Sequence, residues 1–452
     1  MNTVIVGAGV VGVALAEQLS QEGHAVGVVD HDRQKIEDLN DKLDVLAVHG
    51  NAGSPSVLER AGIRSAEMVI AVTDVDEVNL VVGMLSSRLG VKHRIVRIRN
   101  REYVHADSLL TLSELGIDHV INPEPSIVEA LTGMIRYPGT TDYTRLAEGE
   151  VLLLGFDIQQ DSPVVGRSMA ELGQMGDLDA FLFLYITRGD AVMVPRGQDR
   201  IQPGDSVHVL VSADTVEFLL PLMHRRPVKY NVVILAGASR IGLQLAEAIQ
   251  ERVERVYLIE PDETLAEDAA GQLKKTIVLH GDPTDLGLLQ EASLDSCDLF
   301  CALGDDEQTN MLAALLAKKH SATLTALLVQ QPAYVPVMDS LGVSIVINPR
   351  LVTVGEILMH LRRGHIHSVT RLAEGQAEII EMEVPEGSAA CKAPLKDLKF
   401  PEDALMGAVV RDGVMRIPDG DTQCQAGDTV LLFALPGAIE RIEKLFARRR
   451  WL

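Results

Sequence analysis

The chain is poor in cysteine, in basic charge and in long apolar runs. Its four cysteines, Cys297, Cys301, Cys391 and Cys424, all lie in the second half. One CxxxC is their only regular spacing, which gives neither a disulfide framework nor a metal-ligand pattern; free thiols in a reducing compartment are expected. No apolar run approaches the roughly 20 residues that cross a bilayer. The opening MNTVIVGAGV enters a strand with no basic stretch or cleavage site, so a soluble, cytoplasmic protein is expected. Lys and Arg number 41 against 64 Asp and Glu, a net charge of −23. The deficit is spread over both halves: 19 against 32 in residues 1–226, and 22 against 32 in residues 227–452. Nucleic acid is thereby disfavoured as a partner, because neutralising phosphates takes basic patches. The one basic cluster, Arg448–Arg450 before Trp451 and Leu452, reads as a helix end with favourable dipole charges or as a membrane-surface foot.

Catalytic patterns are missing as well. The 13 histidines are scattered, with His365 and His367 at a domain junction rather than at a strand end. There is no nucleophile constellation and no metal-ligand spacing, so neither a catalytic residue nor a metal site is assigned.

What the chain does contain, it contains twice. TRLAEG at 144–149 recurs letter for letter at 370–375, and INP at 121–123 recurs at 347–349. VIVGAGVVG (4–12) is echoed by VVILAGASRIG (232–242), and PGD at 203–205 by AGD at 426–428. A period near 225 is too long for a solenoid unit of about 20–50 residues. It fits tandem duplication of a two-domain unit, and 452 residues with 47% hydrophobic and 23% charged content suit three or four globular domains.

The first ~136 residues alternate β-branched strands with amphipathic helices, including a helix expected over 102–115; this alternation specifies a parallel, doubly wound sheet. After a Pro138-Gly139 boundary, period-two strands separated by turns mark a small α+β module. The expected fold is therefore α/β: two Rossmann-like doubly wound parallel sheets, each followed by a small α+β module. The expected domains are 1–136, 144–226, 229–362 and 369–452.

Gly7-Ala8-Gly9-Val10-Val11-Gly12 follows a hydrophobic strand and opens a helix, and Asp30 ends the next strand. Gly7 allows the tight turn, Gly9 lets backbone approach a pyrophosphate, and Gly12 permits close helix–strand packing. A diphosphate then rests on the helix N-terminus, while Asp30 suits ribose hydroxyls and repels a 2′-phosphate. Arg97 and Arg99, two apart at the carboxyl end of a strand, share one side and suit phosphate oxygens; surface ion pairing is the alternative, weighed evenly for Arg101. Thr73 and Asp74 can cap the next helix and also line an adenosine pocket. In the second copy Ser239 replaces the middle glycine, Glu260 replaces Asp30, and the strand ending in Gln330 and Gln331 holds no cation.

Tandem GxGxxG domains with a distal acid, AVTDVDEVN, RIVRIR, INP and a PGD turn together resemble the TrkA-type potassium-uptake regulators, the double RCK (KTN) proteins of bacteria and archaea. The resemblance spans essentially the whole chain. It implies RCK N and RCK C domains, nucleotide binding at Gly7, Gly9, Gly12, Asp30, Thr73, Asp74, Arg97 and Arg99, and NAD(H) and ATP or ADP as ligands. It also implies self-association as a dimer or tetrameric ring under a multi-pass potassium-translocating membrane subunit. Ser239, Gln330 and Gln331 depart from the family pattern. Two functions are carried forward: a nucleotide-sensing regulatory subunit, and an NAD-dependent oxidoreductase with an atypical substrate module.

Overall fold

Short runs of Val, Ile and Ala with apolar side chains on both faces make poor surface strands but good interior ones, and the chain uses them to build two parallel sheets. The structure, a computed structural model, describes residues 2–103, 111–173, 181–189, 191–223, 230–320, 322–361, 366–372, 377–401 and 403–446. The first sheet holds β1 (Asn2–Val6), β2 (Ala25–Asp30), β3 (Leu46–His49), β4 (Met68–Ala71), β5 (His93–Arg97) and β6 (His119–Ile121), in the order β3-β2-β1-β4-β5-β6. All neighbours run parallel. Between its strands run α1 (Val10–Gln21), α2 (Arg33–Lys42), α3 (Pro55–Arg60) and α4 (Asp76–Arg88), and α5 (Pro123–Arg136) follows β6 in sequence. Strand order reverses between β1 and β4, whose ends Val6 and Ala71 lie side by side. Such a reversal opens a crevice at the carboxyl edge, where open α/β sheets hold ligands.

The first small module contains β7 (Asp142–Leu146), β8 (Val151–Asp157), α6 (Met169–Gly173), β9 (Phe181–Arg188), β10 (Ala191–Met193), β11 (Ser206–Ser212) and α7 (Val216–Leu222), its sheet ordered β10-β9-β11-β8-β7. The pattern then restarts. A second six-stranded parallel sheet, ordered β14-β13-β12-β15-β16-β17, comprises β12 (Val232–Ala236), β13 (Arg255–Glu260), β14 (Ile277–His280), β15 (Leu299–Ala302), β16 (Leu324–Leu328) and β17 (Ile345–Ile347). Between and after them run α8 (Arg240–Ile249), α9 (Glu263–Gln272), α10 (Leu286–Glu291), α11 (Glu307–Lys319), α12 (Val335–Ser340) and α13 (Pro349–Leu361). The second small module has β18 (Ile366–Leu372), β19 (Ala377–Glu383), β20 (Ala404–Arg411), β21 (Val414–Arg416), β22 (Thr429–Ala434) and α14 (Ile439–Phe446), with the sheet order β18-β19-β22-β20-β21. Strand for strand this repeats the first module. The α/β class and the duplication expected from the sequence are both present.

Two of the repeated motifs are structural devices. INP caps a helix: Asn122 Oδ1 accepts the Glu124 N–H at 3.1 Å and Asn348 Oδ1 the Arg350 N–H at 3.0 Å, with Pro123 and Pro349 at the first helical positions. The PGD and AGD turns put a buried carboxylate under an arginine fork. Arg188 Nε and Nη2 donate to Asp205 at 2.7 and 2.8 Å, and Arg411 repeats this on Asp428 at 2.7 and 2.8 Å. Each acid also accepts a backbone N–H of its turn, Gln202 at 2.8 Å and Gln425 at 2.7 Å.

The chain divides into two compact units, residues 1–126 with 348–361, and residues 127–347 with 362–452. α13 therefore belongs with the first sheet although it follows the second in sequence. It packs along α1, with Val354, Ile357 and Leu358 in one core with Leu15, Leu19 and Ile5. Ser126 Oγ donates to Glu356 Oε1 at 2.7 Å, and the rings of His119 and His360 stack 4.0 Å apart. Burial raises the Glu356 carboxyl to about 7. Burial, aided by His119, lowers His360 to about 4. In the other unit the two small modules share a core in which Leu184, Tyr185 and Leu210 meet Ile379, Leu431 and Phe433. Tyr185 stacks on Phe433 with centroids 5.4 Å apart.

Of the helix expected over 102–115, residues 104–110 lie outside the described residues; on either side the chain has a short 3-10 turn at Arg101–Tyr103 and a turn over 111–115. Thr111 and Glu114 hold that turn reciprocally, the Thr111 N–H on Glu114 Oε2 at 2.8 Å and the Glu114 N–H on Thr111 Oγ1 at 3.3 Å, the pairing of a capping box. Ala180, Asp190, His365, residues 373–376 of the second TRLAEG and the basic cluster at 448–450 lie outside the described residues.

Candidate functional site

The carboxyl edge of the first sheet is assembled from three loops. After β1, Gly7 takes φ +109°, a conformation open to glycine, and its own Cβ would press on Val72 and Thr73 at 3.2 Å. Gly12 is needed for packing, because a Cβ there would stand 1.8 Å from the Gly7 carbonyl oxygen. Gly9 is different. Its backbone is extended (φ −77°, ψ −175°), which any residue adopts, and a Cβ would meet nothing within 4 Å. Ala8 is buried, Gly9 is exposed, and Val10 and Val11 begin α1, with Val11 turned into the core.

Asp30 closes the loop from β2. It is only 7% exposed, with Oδ2 accepting the Ala8 N–H at 2.6 Å and Oδ1 the Asp32 N–H at 2.8 Å. A carboxylate oxygen has two lone-pair directions, so each still has capacity for a hydroxyl donor. The imidazole Nδ1 of His31 lies 3.3 Å from Oδ1.

Beyond β4, Thr73 and Asp74 meet the end of β5. Arg97 Nη1 donates to Asp74 Oδ1 at 3.1 Å, and Arg99 Nη2 to the Asp74 carbonyl oxygen at 2.5 Å. Burial, then the like charge of Arg99, pull the Arg97 pKa down, while Asp74 and Asp76 oppose this. Arg97 Nε is buried without a hydrogen-bond partner. Asp74 is 91% exposed, and a pair with so solvated a partner is worth about 0–1 kcal/mol, so a phosphate can displace it at little cost. The side chain of Arg101 lies outside what the structure describes.

Two residues outside the sequence-derived site hold this edge together. Asn79 Nδ2 donates to the Thr73 and Arg97 carbonyls at 3.0 and 2.9 Å, while its Oδ1 accepts the Thr73 N–H at 3.0 Å. Asp76 Oδ2 accepts the N–H groups of Arg99 and Asn100 at 2.9 and 2.8 Å. Both stand in the AVTDVDEVN run, but nothing local in the sequence links them to a strand some twenty residues on.

The second sheet repeats the frame and changes the contents. Glu260 Oε2 accepts the Ala238 N–H at 2.5 Å and Oε1 the Asp262 N–H at 3.0 Å, as Asp30 does. Asn310 clasps the Gly304 and Leu328 carbonyls, and Glu307 accepts the Gln330 and Gln331 N–H groups. By these shared bonds Leu328 stands in the place of Arg97 and Gln330 in that of Arg99. Gly242 packs on Gly237 as Gly12 does on Gly7, with a Cβ 2.2 Å from the carbonyl oxygen. Ser239 occupies the position of Gly9. Its Oγ accepts the Gly242 N–H at 3.2 Å and donates to the Leu303 carbonyl at 2.5 Å.

The TrkA-N domain model matches residues 3–123 and 233–349, and the TrkA-C domain model matches residues 153–224 and 379–447. The chain belongs to the TrkA family. Among its relatives, the Trk system potassium uptake protein TrkA of Azorhizobium caulinodans is 36% identical over 99% of this chain and 98% of its own length. The TrkA homolog of Archaeoglobus fulgidus is 33% identical over 99% of this chain and all of its own length, and the TrkA of Halomonas elongata is 31% identical over 99% and 98%. All three are named for potassium uptake. Among solved structures, the GsuK RCK domain superposes with a TM-score of 0.63 at 15% identity, covering 98% of this chain and 94% of that one. The GsuK channel bound to NAD gives a TM-score of 0.62 at 15% identity, covering 98% and 78%. At that identity the likeness establishes the RCK fold. No helix among the described residues is long and apolar enough to cross a membrane.

Proposed function

We propose that the chain is the nucleotide-sensing regulatory subunit of a Trk-type potassium transporter, binding NAD(H) and ATP or ADP. One observation carries the nucleotide reading: Gly9 is a glycine that the fold does not require. Its backbone is ordinary, its Cβ would enter open space, and the second copy accommodates a side chain at the same place. A ligand backbone approaching the helix N-terminus supplies the missing reason. In this reading the diphosphate rests on the loop Gly7, Ala8, Gly9, Val10, Val11 and Gly12. Asp30 takes the ribose hydroxyls, and Thr73, Asp74, Arg97 and Arg99 line the adenosine and phosphate side. Glu260 is the corresponding ribose acceptor in the second domain. The GsuK channel, which shares the fold and has been solved bound to NAD, supports the ligand class, and the relatives' names support potassium uptake as the process.

The protein works in the cytoplasm, held to the inner membrane face by docking on a multi-pass potassium-translocating subunit, and assembles as a dimer or tetrameric ring. The residue blocks 1–136, 144–226, 229–362 and 369–452 act as nucleotide domains and their companion modules. Nucleotide biases the assembly only through differential affinity for two arrangements. The test is calorimetric titration of NADH, ADP and ATP. Asp30→Ala removes the ribose acceptor and is expected to weaken binding by roughly 1–3 kcal/mol. Unchanged affinity in that variant would refute the site.

A further inference from the structure

We propose that Ser239 is a built-in stand-in for a phosphate oxygen, which closes the second doubly wound domain to diphosphates and leaves one diphosphate site per chain. The inference rests on reading the first glycine loop as a nucleotide site. The two loops differ least where they must fold and most where a ligand must approach. Gly7 and Gly237 share φ +109°, and Gly12 and Gly242 share the same close packing. Asp30 and Glu260 brace the loop through equivalent backbone N–H groups.

Within the glycine loop the difference lies at the cap. Gly9 stands at the N-cap of α1 and, among the described residues, makes no side-chain cap bond. Ser239 stands at the N-cap of α8, its hydroxyl bonded at both ends, accepting from the Gly242 N–H and donating to the Leu303 carbonyl just after β15. A side-chain oxygen on a helix N-terminal N–H does what a phosphate oxygen does there, and it is already in place. The second bond pins it to the neighbouring strand, so a phosphate must break two hydrogen bonds and displace a side chain to enter. Charge alone does not explain the closure, because Arg240 stands exposed at the first position of α8 and offers a cation.

The experiment uses the full-length chain and counts ADP and NADH bound per chain by calorimetry. Gln330→Arg restores a cation at the place of Arg99, and Ser239→Gly on top of it removes the plug; glycine is well tolerated at a helix cap, and Gly9 shows that the turn holds with it. The parent and Gln330→Arg are expected to take one ADP per chain. Gln330→Arg with Ser239→Gly is expected to add a second binding event, about tenfold or more tighter than any residual binding in Gln330→Arg. Glu260→Ala should abolish the added event. The converse change, Gly9→Ser, should remove the parent's own event. Two equal events in the parent, or no added event in the double variant, would overturn the proposal. A parent that binds nothing while the double variant binds one ADP through Glu260 would leave Ser239 as the plug and refute instead the reading of the first loop.

Discussion

Gly9→Val and Gly12→Ala, two substitutions in one glycine loop, should have opposite consequences. At Gly12 an added Cβ lies 1.8 Å from the Gly7 carbonyl oxygen and 2.9 Å from its carbon, so α1 must move off β1 by more than an ångström. Overpacking of that kind costs about 1–3 kcal/mol and sometimes more, and Gly12→Ala should sit at the upper end because the obstacle is backbone. At Gly9 the side chain enters open space from an extended backbone. The entropy that glycine contributes to the unfolded chain favours the variant by about 0.4–1 kcal/mol, and the poorer cap takes back a similar amount. Stability should therefore change by less than about 1 kcal/mol. Nucleotide affinity should fall about 100-fold, since losing one or two charge-assisted hydrogen bonds at the helix N-terminus costs roughly 3 kcal/mol. Urea denaturation and calorimetric titration with NADH measure the two quantities on the same preparations. A Gly9→Val variant that binds NADH like the parent, or a Gly12→Ala variant of undiminished stability, would refute the reasoning.

Three further outcomes are expected. Glu356 is raised by burial to about 7 from an ordinary value near 4.5, so the folded form holds a proton that the unfolded form has released. The stability difference between Glu356→Gln and the parent should therefore widen in the variant's favour as the pH rises from 4.5 to 7, then stay level, with a ceiling of about 3 kcal/mol. A pH-independent difference in urea midpoints would contradict this. Asp205→Ala and Asp428→Ala each break a buried arginine fork and strand a turn N–H, and should each cost about 2–4 kcal/mol in thermal or urea unfolding; a change below about 0.5 kcal/mol in either would show that the fork contributes little. Arg97→Ala with Arg99→Ala should keep the fold but weaken ATP and ADP binding, and should abolish the effect of nucleotide on potassium flux; an unchanged response would make the two arginines a solvated edge.

Much of the architecture is legible in the sequence because strand–helix alternation, glycine turns and strand-end acids are local signals. Val4, Ile5 and Val6 announce a buried parallel strand. Three features are not legible, for physical reasons. α13 follows the second sheet in sequence, yet its apolar face of Val354, Ile357 and Leu358 packs with α1 of the first; an apolar stripe states that it needs a partner and not which one. The clasps of Asn79 and Asn310 join two loops through backbone carbonyls, whose positions no side-chain pattern encodes. Ser239 is visible as a departure from GxGxxG, but its double engagement with Gly242 and Leu303 emerges only when β15 is laid beside β12. The TRLAEG repeat is half explained: in the first copy Ala147 and Glu148 take left-handed φ of 49° and 56°, and the Ala147 N–H donates to Glu381 Oε2 at 3.0 Å, which ties one small module to the other.

Potassium flux through the reconstituted membrane partner, measured with and without NADH and ATP, tests the central claim most directly when the parent is compared with Gly9→Val. The parent is expected to change the flux in a nucleotide-dependent way, and the variant to dock equally well but leave the flux indifferent to nucleotide. A Gly9→Val protein that still conveys the full nucleotide response would contradict the account, because the signal would then enter the protein somewhere other than the first glycine loop.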